Sequence, residues 1–484
     1  MLRLPKRCVA LIAGAVVLFL SISHVSGLRA DEPTVFKAGA FAQDITPEKF
    51  PISVNGNMTD VLAEGAADPL HARCLVLDDG RTAIAMVVVD SCMVPREIHE
   101  AAKELANKAT GIPKSNILIS ATHAHSCPTL GGVFQSDPDL AYVEFLKKKI
   151  AEGITTAWKK RAPAKLGFGV AKDASQLFNR RWKLKQPSSS TNPFGKLDQV
   201  RMNPGLGNPE VSESTGIIDP EISLISVRTA DDKPLALYAT YSLHYVGGTP
   251  PKTVSGDYFA VYCERMTQLL GATTSNPDFV AMISNGTSGD VNNVNYGASS
   301  LPNRTTMGQI KVVAESVAQA SYAVYGGISH SDKVTLGAAE ADLQLAVRKP
   351  SNEDIAYAKE VLSTAGEFPY KTMKAIYARE TMKLIDYPAT VPVKVQVLKV
   401  GPVAVYSIPC EVFTEIGLEI KEKSPVKPCF TVSLANGYNG YLPTPRQHEW
   451  GGYETWRARS SYLEEQASVK IVAKLLELAN GLGK

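Results

Sequence analysis

The sequence predicts an α/β fold in one large domain, with mixed β-sheets flanked by helices. Short β-branched runs alternate with stretches whose apolar residues recur every three or four positions. The composition is that of a globular chain, 44% hydrophobic and 20% charged over 484 residues. No Gly/Pro-rich linker divides the chain, which favours one domain over several.

Residues 1–7 carry two arginines and a lysine, residues 8–25 are almost wholly apolar, and small residues follow at Ser26, Gly27 and Ala30. That is the pattern of an export signal over about residues 1–30, cleaved between Gly27 and Asp31. The mature domain is then 31–484, periplasmic or extracellular, with no stable membrane span. An uncleaved anchor is the competing reading, because roughly 18 apolar residues is near the minimum for a bilayer. Strands are expected at 35–41, 72–77, 83–89 and 117–120, with helices at 96–108 and 142–159 between and after them. Residues 185–215, rich in Pro, Ser, Asn and Gly, are expected to run across the surface as a long loop of the kind that walls substrate pockets. A second group follows: strands at 222–227 and 235–241, helices at 257–270 and 307–324, then mixed strands within 392–407 leading into a helix from Glu411. A helical stretch at 460–481 closes the chain.

The formal net charge is only +3, part of it in the leader, so nothing points to nucleic acid. Of seven cysteines, Cys8 lies in the leader. The other six (Cys74, Cys92, Cys127, Cys263, Cys410 and Cys429) permit disulfides in an exported protein, with buried free thiols as the alternative. Their wide spacing includes no CxxC pair.

Histidine is scarce, eight in all with His24 in the leader, yet two stand together in Thr122-His123-Ala124-His125-Ser126. They follow the apolar run NILIS, and in extended chain residues two apart point the same way, so both imidazoles should leave one strand end. Strand ends are where α/β proteins keep their ligands. Such a pair commonly gives zinc one or two nitrogens at about 2.0–2.1 Å; a pair of hydrogen-bonded histidines in a polar turn is the alternative. Further ligands must come from afar, among His71, His99, His244, His330 and His448. His99, on a helical stretch, and His330, in the turn SHSD, are expected to face water. His244 ends the strand-like ALYATYSLH just before Gly247-Gly248, again a strand-to-loop edge.

With these motifs in order, the chain resembles the neutral/alkaline non-lysosomal ceramidase family. AGAFAQDITP is similar to the family's opening strand and Asp-Ile-Thr-Pro turn, and SATHAHSCP to its Thr-His-x-His-Ser-x-Pro motif. FNRRW supplies the Asn179-Arg180 pair, SLH and the later SGD resemble the second histidine region, and PCEVFTEIG the Gly-Glu-x-x-Thr segment. NGYNGYLPTPRQHEWGGYE resembles the Tyr-x-x-Tyr stretch with its later tyrosine. The resemblance implies a neutral-ceramidase-like fold and one zinc per chain held by His123, His244, Glu411 and Tyr441. It implies His125, Arg180 and Tyr453 as polar groups around the scissile bond. Two imidazoles, a carboxylate and a phenol leave room for a water, whose pKa zinc would lower toward about 7. The implied reaction is hydrolysis of an amide in a small-molecule or lipid-like N-acyl substrate, ceramide or another N-acyl compound. Each residue retains a plainer role: Glu411 as a first-turn acid of a helix, Tyr441 as core, Arg180 as an exposed cation.

The chain departs from the family in two places. Asn292, in Gly289-Asp290-Val291-Asn292-Asn293-Val294, stands where the family has a serine implicated in catalysis. An amide is no nucleophile, which closes an acyl-enzyme route but leaves a metal-activated water and a hydrogen bond from Asn292. The sequence also runs only about thirty residues past Tyr453, so the family's C-terminal immunoglobulin-like domain is expected to be absent. Both departures argue against ceramide itself. A zinc hydrolase of an ester or glycosidic bond, or a non-catalytic relative, are the alternative functions.

Overall fold

Strands His71–Asp78 and Ala83–Val89 each bury six residues in succession, so both of their faces must be covered. In this computed structural model, which describes residues 35–187, 191–300 and 305–482, the two faces go to different layers. Cys74, Val76, Ala85 and Val87 point to helices Arg96–Thr110 and Leu140–Lys159. Their neighbours Leu75, Leu77, Ile84 and Met86 point the other way, to Leu398, Val405 and Phe430 of a second sheet. That alternation is the period of two of a pleated strand. The second sheet, ordered Leu336–Ala346, Thr390–Val400, Val403–Ser407, Cys429–Val432, is covered on its far face by helices Thr414–Lys423 and Ala467–Leu482. The layers therefore run helix, sheet, sheet, helix. The expected α/β fold with mixed sheets is what the chain adopts.

The larger sheet runs Val280–Asn285, Pro234–Tyr241, Glu221–Thr229, Ala162–Lys172, Lys37–Asp44, His71–Asp78, Ala83–Val89, Ile117–Ala121, with His330–Ser331 paired beside Ala162–Lys172. Its interior pairings are antiparallel, but the outermost pairing at each end is parallel. Parallel neighbours need a crossover helix. Arg96–Thr110 serves one end and Asp257–Leu269 the other. The two outer strands are then drawn together. Asn285 Nδ2 donates to the Thr122 carbonyl at 3.2 Å. Residues 433–436 bridge the gap, with Ser433 N–H donating to Asn285 O at 3.0 Å, Ala121 N–H to Leu434 O at 3.1 Å and Asn436 N–H to Ile119 O at 2.8 Å.

Several expectations are corrected. No helix starts at Glu411: Glu411–Val412 is a short strand parallel to Tyr441–Leu442, and the helix begins at Thr414, because Glu411 gives its N–H to Gly440 O. The stretch 185–215 is not loop throughout, since Val200–Met202 and Val211–Ser214 both pair with Arg181–Leu184. His99 is fully buried under the first helix rather than exposed, and His330 is half-buried with Nε2 2.9 Å from Ser226 Oγ. Helices Asn352–Ser363 and Met373–Leu384 were not anticipated; Ser351 and Asp354 form a capping box for the first, and Thr372 caps the second. The six cysteines of the described residues are buried and free. The expected export signal lies outside the described residues, and among these no helix is long and apolar enough to cross a membrane.

Leu75 tests the sheet-to-sheet layer, because its side chain is fully buried between the two. Leu75→Ala is expected to cost about 2–5 kcal/mol in denaturant unfolding, against less than about 0.5 kcal/mol for Val312→Ala on an exposed helix face. Equal shifts would contradict the layering.

Candidate metal centre

His123 lies two residues beyond strand Ile117–Ala121, and its φ of 74° breaks the extended chain there. The two imidazoles therefore do not align by strand alternation: their rings meet edge to face, at 86°. Left-handed backbone is uncommon but tolerated by histidine. It is held by the neighbouring strand's exit, where Ser91 O accepts from His123 N–H at 2.8 Å and Cys92 O lies 2.7 Å from Nδ1. His244 follows strand Pro234–Tyr241 on the other side of the closed sheet, its Nδ1 2.9 Å from Ser288 O. A carbonyl can only accept, so both Nδ1 atoms carry the proton and both Nε2 atoms are acceptors.

Those acceptors face each other. His123 Nε2 is 3.0 Å from His244 Nε2 and 3.2 Å from Glu411 Oε2, and His244 Nε2 is 3.8 Å from the same oxygen. Glu411 Oε2 is buried and receives no hydrogen bond, whereas Oε1 takes one from Tyr438 Oη at 3.0 Å. Three convergent acceptors without a donor among them call for a cation. Four donors about 2.0–2.1 Å from a tetrahedral ion stand about 3.3 Å apart, and this triangle has that size. Two imidazoles and a carboxylate match zinc's usual donors. His123, His244 and Glu411 thus fit a metal ion.

The electrostatics agree. Burial opposes charge on His123, yet Glu411 and Cys92 draw its pKa up to about 10, the direction in which positive charge among these atoms is favoured. Burial would raise the Glu411 carboxyl, but His123, Tyr441 and Arg180 hold it below its ordinary value. Burial, then Arg180 and the other two imidazoles, keep His244 neutral; burial, then His123 and Arg180, do the same for His125.

The other residues expected at the site surround this group. Register pairs Glu411 directly with Tyr441. Tyr441 Oη accepts from Arg180 Nη2 at 3.1 Å, and Arg180, buried rather than exposed, also donates to Gly289 O and Glu454. His125 Nε2 is 3.1 Å from His123 Nε2. The His125 ring is stacked on Tyr245 at 3.7 Å and pressed on by Gly56, where a Cβ would come within 2.4 Å of it. Gly56 has φ 98°, so the close approach and the backbone both require glycine. Tyr453 stands 5.8 Å from Tyr441, ring to ring. Asn292 is turned elsewhere, its amide donating to Asn203 Oδ1 at 2.8 Å.

Other contributors escaped the sequence reading. The Cys92 and Ser288 carbonyls orient the imidazoles, and backbone groups leave no residue-type signal. Tyr438 was readable as the first tyrosine of the Tyr-x-x-Tyr stretch. Glu454, fully buried, binds Arg180 and Arg181 together. Asp290 accepts from Asn179 Nδ2 and from Thr414 N–H and Oγ1, joining the arginine segment to the Glu411 segment, and burial pushes its pKa up to about 6 against those bonds.

A family model described as neutral/alkaline non-lysosomal ceramidase, N-terminal, matches residues 36–321, which include both histidine segments and Arg180. No curated protein sequence matches the chain. A solved structure of neutral ceramidase from Pseudomonas aeruginosa shares its fold, with a TM-score of 0.68 and 16% identity over 93% of this chain and 75% of that one. A second, described as a ceramidase complexed with C2, matches to the same extent. The chain belongs to the neutral/alkaline non-lysosomal ceramidase family.

Proposed function

We propose that this chain is an exported hydrolase of amide bonds in N-acyl compounds, working with one zinc ion held by His123, His244, Glu411 and Tyr441. The observation that carries the reading is the buried triangle of His123 Nε2, His244 Nε2 and Glu411 Oε2, with both Nδ1 protons committed to carbonyls. Export is supported by the leader-like residues 1–30.

Zinc in this setting supplies Lewis-acid polarisation and a water acidic enough to attack near neutral pH. The protein's own groups do the rest. Tyr441, beside Glu411 and bonded to Arg180, brings a phenolic oxygen; burial and then the Glu411 charge hold its pKa well above the ordinary value, and the guanidinium opposes them only in part. Tyr453 and the neutral His125 line the same small cavity as His123 and Glu411 and can donate to the oxygen that becomes negative as the carbonyl is attacked. Donors so placed contribute about two to three orders of magnitude each. Arg180 fixes Tyr441 and adds positive potential. The route asks no nucleophile of the protein, so asparagine at 292 is compatible with it.

Elemental analysis of residues 31–484 is expected to find about one zinc per chain, lost in His123→Ala and Glu411→Ala, together with chelator-sensitive hydrolysis of N-acyl substrates. A wild-type protein that takes up no zinc after reloading would sink the proposal. Glu454→Gln is expected to cost about 3–5 kcal/mol in denaturant unfolding, because it strips the countercharge from two buried guanidiniums. Wild-type stability in that variant would show the arginines to be balanced from elsewhere.

A further inference from the structure

Glu411 offers its two oxygens unequally, and one hydroxyl makes the difference. Tyr438 Oη lies 3.0 Å from Glu411 Oε1. An ionised carboxylate can only accept, so the phenol donates. Oε2 receives no hydrogen bond and is the oxygen 3.2 Å from His123 Nε2. The last torsion of a glutamate has broad, two-fold wells, so a carboxylate that nothing holds presents either oxygen, or both, to a cation.

Tyr438 is itself held on every side. Before it, Asn436 donates its N–H to Ile119 O at 2.8 Å; after it, Asn439 donates its N–H to Pro409 O at 2.7 Å. The Asn436 side chain accepts the Ile119 N–H at 3.3 Å and donates to Gln396 Oε1 at 2.9 Å. Asn436 stands at φ 64°, a backbone conformation that persists where its surroundings impose it. The Tyr438 ring packs against two apolar clusters, one containing Ala124 and Leu434, the other Met93 and Phe134. Glu411 in turn gives its N–H to Gly440 O, two residues beyond Tyr438. Carboxylate and phenol are therefore tied to each other through the backbone as well as through their side chains.

We propose that Tyr438 is a positioning residue, whose hydroxyl occupies Glu411 Oε1 so that Oε2 alone faces the metal ion. This rests on the zinc-hydrolase reading of the same site. An open position for water separates a catalytic zinc site from a closed structural one. A carboxylate bound through one oxygen keeps that position, and one bound through both competes for it. The residues that close the large sheet thus also set how Glu411 meets the metal.

Tyr438→Phe removes the hydroxyl and keeps the ring. Zinc affinity of the mature chain, measured by competition with a chromogenic chelator, is expected to fall about 10- to 100-fold, the usual loss when a ligand's hydrogen-bonding partner is removed. At saturating zinc, kcat for an N-acyl substrate should fall by a similar factor with KM nearly unchanged. Tyr438→Met, which also lacks the hydroxyl and fills irregular space, serves if the phenylalanine packs badly. Tyr462→Phe is the control: it takes a hydroxyl from Asn439, the residue after Tyr438, and should leave zinc affinity unchanged. If the variants at 438 bind zinc as tightly as wild type, and lose only stability of the zinc-free chain, Tyr438 is structural and the inference is overturned. If wild type itself takes up no zinc, the zinc reading falls and this inference with it, an outcome distinct from equal binding by wild type and variant.

Discussion

Three buried acceptor atoms lie within 3.0–3.8 Å of one another, and the surrounding architecture is arranged to hold them there. Lone pairs repel, and burial denies them water, so each needs an anchor outside the group. His123 is anchored on Cys92 O, His244 on Ser288 O, and Glu411 on the tyrosine at 438. These anchors come from distant parts of the chain. They can meet because the large sheet's two parallel end pairings deliver one histidine each, and because residues 433–436 pin the outer strands together. The closing of the sheet and the making of the site are one event.

Positive charge beside a cation site is costly unless it is balanced. Arg180 and Arg181 are both buried, and one carboxylate, Glu454, binds the two. That pairing lets a guanidinium sit next to Tyr441 without leaving an uncompensated charge in the interior. Asp290 has a different part: its raised pKa marks a carboxyl whose value is the hydrogen bonds it receives, which tie the Asn179-Arg180 turn to the start of the helix after Glu411. Position along the chain hides this, since Asn179 and Thr414 are 235 residues apart in number and meet through one side chain.

What could be read in the sequence is what local physics writes into residue types. The β-branched runs announced the strands at 72–77 and 83–89, and the scarce histidines at 123, 125 and 244 stood out at strand ends. What could not be read depends on long-range geometry. Glu411 has the composition of a helix start, yet pairing with Tyr441 makes it strand. His99 sits on an amphipathic helix whose covered face is wider than its periodicity suggests. The strands at 200–202 and 211–214 are short and polar, and exist because Arg181–Leu184 gives them partners. The small glycine at 56 gave no signal at all until the ring it accommodates was in place.

The geometry of His123 shows how stability and chemistry are joined. A non-glycine residue at φ 74° costs of order 1–3 kcal/mol. The strain is retained because it turns Nδ1 to the Cys92 carbonyl and Nε2 to the other acceptors. It is compensated in part by Ser91 O and the packed strand ends, but the convergence of lone pairs is not. A cation binding among them lowers the energy of the folded chain alone, since the unfolded chain has no such triangle. Metal affinity at this group and folding would therefore draw on the same contacts, and a substitution that loosens Cys92, Ser288 or the 433–436 bridge would weaken both together.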